Sequence, residues 1–330
     1  MSPPLLNIIR ESVNVGVVLQ HGIEQRKDES GAVVEIIEYT DLYCTWCRGS
    51  EPILRKLLYV YRGQIIVNYK MSGLVRDIRE SYDPLNEIGG EHWYLQVSAH
   101  WEEASKRHGM PVDNSVLYEI KASFTSTYPA NIAFKAAELQ NRELAKKYLR
   151  RLRKGAAAEW LHIHLLEVQA QLAREVGLDA DRLLEDIRSG RAESEFLKDL
   201  KECRSMGITG FSTFLVKNLR NGRSVLVYGY SRYHYFEGLL EESAGGLLRG
   251  REVPRDAETV LDFLEMWRKV AQQEVATLLD VDKNRALDIL RSLQDEGRII
   301  GKRAGNDHFW TLARKAKPLC DDDGGICYTI

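Results

Sequence analysis

The stretch VVEIIEYTDLYCTWCRGSEPILRKLLYVYRGQIIVNYKM, Val33–Met71, determines how the rest of the chain is interpreted. Its first seven residues are mostly β-branched and nearly continuous in apolar character, which is typical of a buried strand. Apolar residues then recur at helical spacing from Ile53 to Tyr61, and GQIIVNYKM predicts a second strand. Strand, helix and strand in this order indicate a βαβ unit, so we expect the two strands to be parallel.

A cysteine pair, Cys44 and Cys47, lies where the first strand ends and the helix begins. Backbone N–H groups and the helix dipole at such a position lower the pKa of the first cysteine. We therefore predict that Cys44 is the attacking thiolate and that Cys47, one turn further, is the resolving thiol. Half of a zinc site and two unrelated thiols remain as alternatives, although zinc would need a second pair of ligands.

Two further residues near the pair carry predictions. Glu38 lies on the same face of the first strand as Val34 and Ile36, so burial would raise the pKa of its carboxyl group. A carboxyl group held there could carry a proton to or from Cys47. Pro52 would interrupt the hydrogen-bond ladder of the following helix and kink it.

The region from about 85 to 203 contains little strand signal and is predicted to be a helical array, divided by glycine and proline. Strand patterns return in STFLVKN and SVLVYGY, joined by a turn at Asn221–Gly222, and a helix follows. We therefore predict an α/β domain over residues 31–250 with a helical insertion at about 85–203. Residues 1–30 form an N-terminal extension that could add an edge strand.

This pattern resembles the thioredoxin superfamily and, within it, the DsbA-like branch. The glutamate, the cysteine pair and Pro52 stand at the family's spacing, and the long helical insertion is also typical of that branch. GITGFSTFLV, Gly207–Val216, is similar to the entry into the family's third strand, and YGYSRYHYFEGLL is similar to its last strand and helix. The similarity covers roughly residues 30–245. The resemblance implies disulfide exchange without any metal or other cofactor.

The chain departs from the family at Ser212, where the family has a cis-proline against the cysteine pair. A cis peptide before a residue other than proline costs about 3–4 kcal/mol, so we expect the bond between Phe211 and Ser212 to be trans, with an altered loop. The resemblance implies that the substrate groove is lined by Thr45, Trp46, Phe211, Ser212 and Thr213.

Residues 255–316 are predicted to form a separate unit of three short helices followed by two strands around a Gly-Asn turn, which is the winged-helix pattern. Between residues 254 and 317 there are 12 basic and 11 acidic residues. Because phosphate contacts dominate DNA affinity, we expect this unit to dock proteins or to dimerise rather than to bind DNA.

The last residues, 317–330, are predicted to be a flexible tail. Cys320 and Cys327 flank acidic residues and two glycines there, so they could form a secondary redox pair that exchanges with Cys44. Idle thiols at the chain end are the alternative. Cys203, alone on a predicted helix, is expected to be a buried structural thiol.

The chain has 330 residues, 44% of them hydrophobic and 28% charged, with a net charge of -2. This balance gives no global attraction to nucleic acid or anionic lipid, and no apolar run approaches the ~20 residues that span a bilayer. We therefore expect a cytoplasmic thiol–disulfide oxidoreductase that acts on protein or peptide disulfides or dithiols. Two alternatives remain open: a non-catalytic thioredoxin-fold adaptor and a redox-sensing DNA-binding regulator. Whether an enzyme of this kind would be oxidase, reductase or isomerase stays undecided.

Overall fold

The structure is a computed structural model that describes residues 16–19, 31–83 and 86–313. Its strands are β1 Gly16–Leu19, β2 Val34–Thr40, β3 Ile65–Met71, β4 Tyr82–Asp83, β5 Ile88–Gly89, β6 Thr213–Asn218, β7 Ser224–Tyr228, β8 Lys269–Ala271, β9 Ile299–Ala304 and β10 Asp307–Leu312. Its helices are α1 Thr45–Gly49, α2 Glu51–Val60, α3 Trp93–His108, α4 Val116–Ile120, α5 Tyr128–Gln140, α6 Arg142–Ala158, α7 Leu166–Glu175, α8 Ala180–Arg188, α9 Arg191–Ser205, α10 Tyr233–Ala244, α11 Ala257–Trp267, α12 Gln272–Leu279 and α13 Lys283–Asp295.

The central sheet has the strand order β1-β7-β6-β2-β3. Strands β2 and β3 are parallel, with Ile36 opposite Val67, and the other neighbouring pairs are antiparallel. Val34 and Ile36 are fully buried because β2 lies between two strands and both sheet faces are covered. The predicted βαβ unit is therefore present, and β2, which leads to the cysteine pair, is the second strand from one edge of the sheet.

Helices cover the central sheet on both faces. Helices α2 and α10 pack over one face around Ile53, Leu57 and Phe236. Helices α3 to α9 form the insertion, whose core surrounds Phe134 and Tyr148. In its described residues the insertion is thus mainly helical. The sequence pattern predicts a helix over Asn86–Arg107, whereas α3 begins only at Trp93 and the short β4–β5 hairpin precedes it.

The insertion helices divide at a point that the periodicity missed. The apolar pattern predicts one helix from Asn131 to Leu149, whereas α5 ends at Gln140 and α6 begins at Arg142. The Asn141 side chain accepts hydrogen bonds from the backbone N–H groups of Glu143 and Leu144, and thereby caps α6. Asparagine capping therefore starts a new helix without any glycine or proline.

The C-terminal unit comprises α11, β8, α12, α13, β9 and β10, and its antiparallel sheet has the order β8-β10-β9. Strand β8 is an addition to the predicted three helices and hairpin. Leu264, Leu278 and Leu290, one from each helix, are fully buried in its core. The assignment of this unit to the winged-helix class stays a prediction.

The two units pack closely against each other through α2. The Tyr59 hydroxyl donates a hydrogen bond of 2.8 Å to Asp262, and the ring of Tyr59 packs edge-on against Phe263. The turn between β9 and β10 contacts the insertion, since Asn306 and Val112 exchange two hydrogen bonds of 3.0 Å. Within the described ranges, no helix is both long enough and apolar enough to cross a membrane.

Candidate functional site

The cysteine pair lies in the loop between β2 and α1, as the sequence predicts. Cys44 is the N-cap of α1, and its Sγ accepts a hydrogen bond of 3.3 Å from the Cys47 backbone N–H. Asp41 shapes the loop by accepting hydrogen bonds of 2.8 Å from the N–H groups of Tyr43 and Leu74. Both cysteines are unpaired thiols in this structure.

Both thiols are buried. Cys44 is 6% exposed and Cys47 is 0% exposed. Burial raises the pKa of Cys47 well above its ordinary value, and the adjacent Cys44 raises it further. The second thiol is therefore held protonated, and a reagent reaches the fully buried Cys47 sulfur only after local movement.

Glu38 lies at the bottom of this site and is fully buried, which agrees with its place on the strand face of Val34 and Ile36. Its Oε1 accepts hydrogen bonds from the Thr40 hydroxyl at 3.2 Å and from Arg153 at 3.3 Å. Its Oε2 has no partner among the residues that the structure describes. Burial raises the pKa of Glu38, and the guanidinium of Arg153 offsets only part of that effect.

Arg153 is the principal residue that sequence reasoning missed. It lies on α6, is fully buried, and donates hydrogen bonds to Glu38, to Thr40 and, at 3.4 Å, to Glu51. A signal was present, because a charged residue stands on the apolar helix face between the buried Leu149 and Ala156. Arg153 lies far from the cysteines along the chain, so no local sequence pattern connects it to them.

A chain of ion pairs leads from this site to the C-terminal unit. Glu51 pairs with Arg153 on one side and with Arg150 on the other. Arg150 also binds Glu274 on α12 at 2.6 Å, and Glu274 in turn pairs with Arg55 at 3.0 Å. Burial alone would raise the pKa of Glu274, but Arg150 and Arg55 more than offset it, so that pKa is lowered.

His108 holds Thr45, the first residue between the cysteines. The Met110 backbone N–H donates to His108 Nδ1 at 3.1 Å, so the neutral ring carries its proton on Nε2. Nε2 lies 3.1 Å from the Thr45 hydroxyl and donates to it. Burial, and then the cation of Arg48, lowers the pKa of His108 to about 3. The ring also lies over Gly49, where a Cβ would be 2.6 Å from it.

Trp46, the second residue between the cysteines, is partly exposed and lies among three other rings. The centroid of its ring is 6.1 Å from that of His100, 6.0 Å from that of His108 and 5.7 Å from that of Tyr230. These contacts fix the indole against the insertion and the end of β7, so it covers part of the surface around α1.

The prediction of a trans peptide before Ser212 is wrong, because the bond between Phe211 and Ser212 is cis. The expectation was based on residue type alone, whereas Ser212 is fully buried and bound on both sides. Its carbonyl accepts a hydrogen bond of 2.7 Å from the Gly229 N–H, and its hydroxyl lies 3.1 Å from that of Ser50.

The structure brings the predicted groove residues together around the cysteine loop, but most of their side chains are not open to solvent. Thr45, Ser212 and Thr213 are buried, while Trp46 and Phe211 are partly exposed. Pro52 lies in the first turn of α2, after a break at Ser50 that separates α1 from α2.

The other cysteines do not join the pair. Cys203 is buried, and its thiol contacts the Ile208 carbonyl at 3.7 Å, which fits the predicted structural role. Cys320 and Cys327 lie outside the described residues. Within the described part of the chain, no group of three or more histidine, cysteine, aspartate or glutamate side chains is placed to hold a metal ion.

Comparison with known proteins gives a family and a set of curated relatives. A family model described as "Thioredoxin" matches residues 38–238, more than half of the chain. The ClpXP adapter protein SpxH of Bacillus subtilis is 26% identical over 280 residues, which cover 84% of this chain and 88% of that protein. The protein of the same name from Halalkalibacterium halodurans is 26% identical over 299 residues, 88% of this chain and 93% of its own.

A solved structure of a candidate protein disulfide isomerase from Nitrosomonas europaea superposes with a TM-score of 0.53 at 18% identity. The match covers 64% of this chain and 97% of that one. At this identity the likeness concerns the fold alone. The curated relatives align over a longer stretch than the family model, so their similarity extends beyond the matched segment 38–238.

Proposed function

Since the chain belongs to the thioredoxin family, we propose that it uses a DsbA-like thioredoxin fold as a scaffold and acts as a non-catalytic adapter of the ClpXP type. The predicted α/β fold with its helical insertion is confirmed by the family model and by the solved structure of similar fold. The curated relatives that match most of the chain carry the name of ClpXP adapters. They favour the adaptor alternative over the predicted oxidoreductase.

The observation that carries this proposal is the burial of the cysteine pair. Disulfide exchange needs a thiolate that a substrate sulfur can approach in line. Cys44 is 6% exposed, and the neighbouring Thr45 and Ser212 are buried as well. A protein disulfide would have to displace packed side chains before it could reach Cys44 Sγ, which supports a scaffold rather than a catalyst.

The packing of the C-terminal unit also supports protein binding as its role. In a winged helix bound to DNA, the turn between the two strands contacts the DNA backbone. Here the turn between β9 and β10 is hydrogen-bonded to Val112 of the insertion instead. The exposed face of α13 carries Arg285 and Arg291 but also Asp288 and Asp295. A mixed face of this kind suits a protein surface better than a polyphosphate.

The adapter proposal is tested by binding of the purified chain to purified ClpXP, measured by biolayer interferometry. The double variant C44S/C47S keeps the fold-defining loop while removing both thiols. We expect saturable binding of the native chain and an affinity within about twofold for the variant, because the proposed adapter uses neither thiol to bind its partner. Absence of binding by the native chain, with the fold confirmed by circular dichroism, would refute the proposal.

A second candidate is the predicted thiol–disulfide oxidoreductase. One observation favours it, since Cys44 Sγ accepts a hydrogen bond from the Cys47 backbone N–H at the start of α1. In that reaction the Cys44 thiolate attacks a substrate disulfide and releases one substrate thiol. Cys47, after giving its proton to Glu38, attacks Cys44 Sγ and releases the second thiol. The chain becomes a disulfide, and the substrate gains both electrons.

Insulin reduction with a small thiol as electron donor separates the two candidates. An oxidoreductase reduces insulin at a rate that the C44S variant loses, whereas an adapter gives the same background rate with either chain.

The DNA regulator is tested by a salt-sensitive mobility shift of duplex DNA. We place the adapter in the cytoplasm, where the reducing environment would keep Cys44 and Cys47 as thiols.

A further inference from the structure

Residues 108–113, between α3 and α4, contact both the helix that begins at the cysteine pair and the C-terminal unit. This stretch, HGMPVD, is the bridging segment. Helix α3 ends at its start because Gly109 takes a left-handed backbone conformation, with φ 73°. The buried residues of the bridging segment are His108, Met110, Pro111 and Val112.

On one side, the bridging segment holds α1. His108 Nε2 donates a hydrogen bond of 3.1 Å to the Thr45 hydroxyl, and the His108 ring lies against Gly49. The guanidinium of the buried Arg48 donates to the Pro111 carbonyl. Helix α1 is thus fixed to the bridging segment at both of its ends.

On the other side, the C-terminal unit holds the bridging segment. The Lys283 ammonium donates a hydrogen bond of 3.1 Å to the Gly109 carbonyl. The Asn306 side chain accepts a hydrogen bond of 3.0 Å from the Val112 N–H. The packing leaves no spare room, because a Cβ on Gly109 would overlap the side-chain amide of Gln273.

Met110 adds an apolar contact to these polar ones. It is fully buried in a cluster with Ala158 of α6 and with Ala271 and Phe309 of the C-terminal unit. Separation of the C-terminal unit from the bridging segment would expose the Met110 side chain to water, which is unfavourable. The segment and the C-terminal unit therefore hold their positions together.

We propose that the C-terminal unit restricts access to Cys44 by holding the bridging segment against α1. Cys44 is 6% exposed, so its sulfur becomes more accessible when the cysteine loop opens locally. Such opening breaks the contacts of α1 with the bridging segment. A bridging segment released from the C-terminal unit can move with α1, so the loop then opens more readily.

This arrangement is an autoinhibitory contact within the chain. A partner protein that displaces Lys283 and Asn306 from the bridging segment raises the reactivity of Cys44. By linkage, a ligand or modification that favours the open loop weakens the hold of the C-terminal unit to the same extent. The inference goes beyond the adapter proposal, because it concerns access to a thiol and requires no ClpXP.

Alkylation of the full chain by iodoacetamide under native conditions tests the proposal, with labelling at each cysteine followed over time by mass spectrometry of peptides. The variant K283M/N306A removes the two side chains that bind the bridging segment. Cys203 serves as an internal reference, since it is 3% exposed and reports wider unfolding. We expect Cys44 to be labelled about tenfold faster in the variant, because two hydrogen bonds are lost, while Cys203 stays unlabelled over the same period.

The matched control is R298M. Arg298 binds Glu258 at 2.8 Å within the C-terminal unit, and its side chain is 39% exposed, as that of Lys283 is. This control should be labelled at Cys44 as slowly as the native chain. If K283M/N306A does not fold, K283Q and N306A are measured singly, each with an expected increase of about threefold.

An unchanged rate at Cys44 in the folded variants would overturn the proposal. Labelling of Cys203 to the same extent as Cys44 would also overturn it, because global unfolding and not release of the bridging segment would then expose the thiol. Neither result bears on ClpXP binding, which is measured separately.

Discussion

Replacing Arg153 by methionine tests how the buried charges support this fold. Arg153 and Glu38 are fully buried, and the guanidinium also binds Thr40 and Glu51. The variant R153M keeps most of the volume but leaves two carboxylates without that cation. Removing one partner of a buried ion pair costs about 3–5 kcal/mol of unfolding free energy.

This loss is large compared with the roughly 5–15 kcal/mol that stabilises a typical protein. At about 2–4 °C per kcal/mol for a domain of this size, the melting temperature should fall by roughly 6–20 °C. Urea unfolding followed by circular dichroism measures the free energy, and differential scanning calorimetry measures the melting temperature. The double variant E38Q/R153M should recover part of the lost unfolding free energy, because it removes one of the two carboxylates that R153M leaves without a cation.

The effect should also depend on pH in a defined direction. The pKa of Glu38 is raised in the folded state, so folding favours its protonated form. Its stabilising contribution is therefore present below the ordinary glutamate pKa and is lost as pH rises through the folded pKa. In R153M no guanidinium lowers the pKa of Glu38, so the buried carboxylate is more costly when it is ionised. The variant should therefore be less destabilised at about pH 5 than at about pH 8. Equal loss at both pH values, no recovery by E38Q, or a loss below about 1 kcal/mol would refute the role given to Arg153.

Three further outcomes follow from the site. Gly49→Ala should cost about 1–3 kcal/mol, because its Cβ would be 2.6 Å from His108, whereas Gly210→Ala, with open space around it, should be near neutral in the same thermal unfolding assay. Iodoacetamide should leave Cys47 unmodified in the native chain until urea unfolds it, as mass spectrometry of peptides would show; equal labelling with and without urea would contradict its burial. Asn306→Ala should cost about 1 kcal/mol of unfolding free energy, because it leaves a backbone N–H of the insertion without an acceptor. Trypsin should then cleave the connecting segment 249–256 faster, and unchanged cleavage would show that this hydrogen bond does not hold the two units together.

Local patterns predicted the fold well where neighbours in the chain are neighbours in space. The alternation of Val34, Ile36 and Glu38 placed a carboxyl group in the core, and the helix start placed Cys44 at an N-cap. The cis bond before Ser212 was missed, since its hydrogen-bonding partners Ser50 and Gly229 come from distant segments.

The ion-pair chain to the C-terminal unit was missed for the same physical reason. Arg153 and Arg150 come from the insertion, while Glu274 comes from a helix more than a hundred residues later. No periodicity within one element reports such a pairing. A charged residue on an apolar helix face is the available signal, and it indicates that a partner exists without naming it.

The hydrogen bonds of His108 have a consequence for the behaviour of the loop in acid. One ring nitrogen accepts from Met110 and the other donates to Thr45, so both are occupied, and the pKa of about 3 keeps the ring uncharged. The imidazole therefore holds Thr45 in place and does not change its charge in mild acid. Mild acidification should therefore leave the backbone of the cysteine loop in place, because it does not charge the ring that holds Thr45.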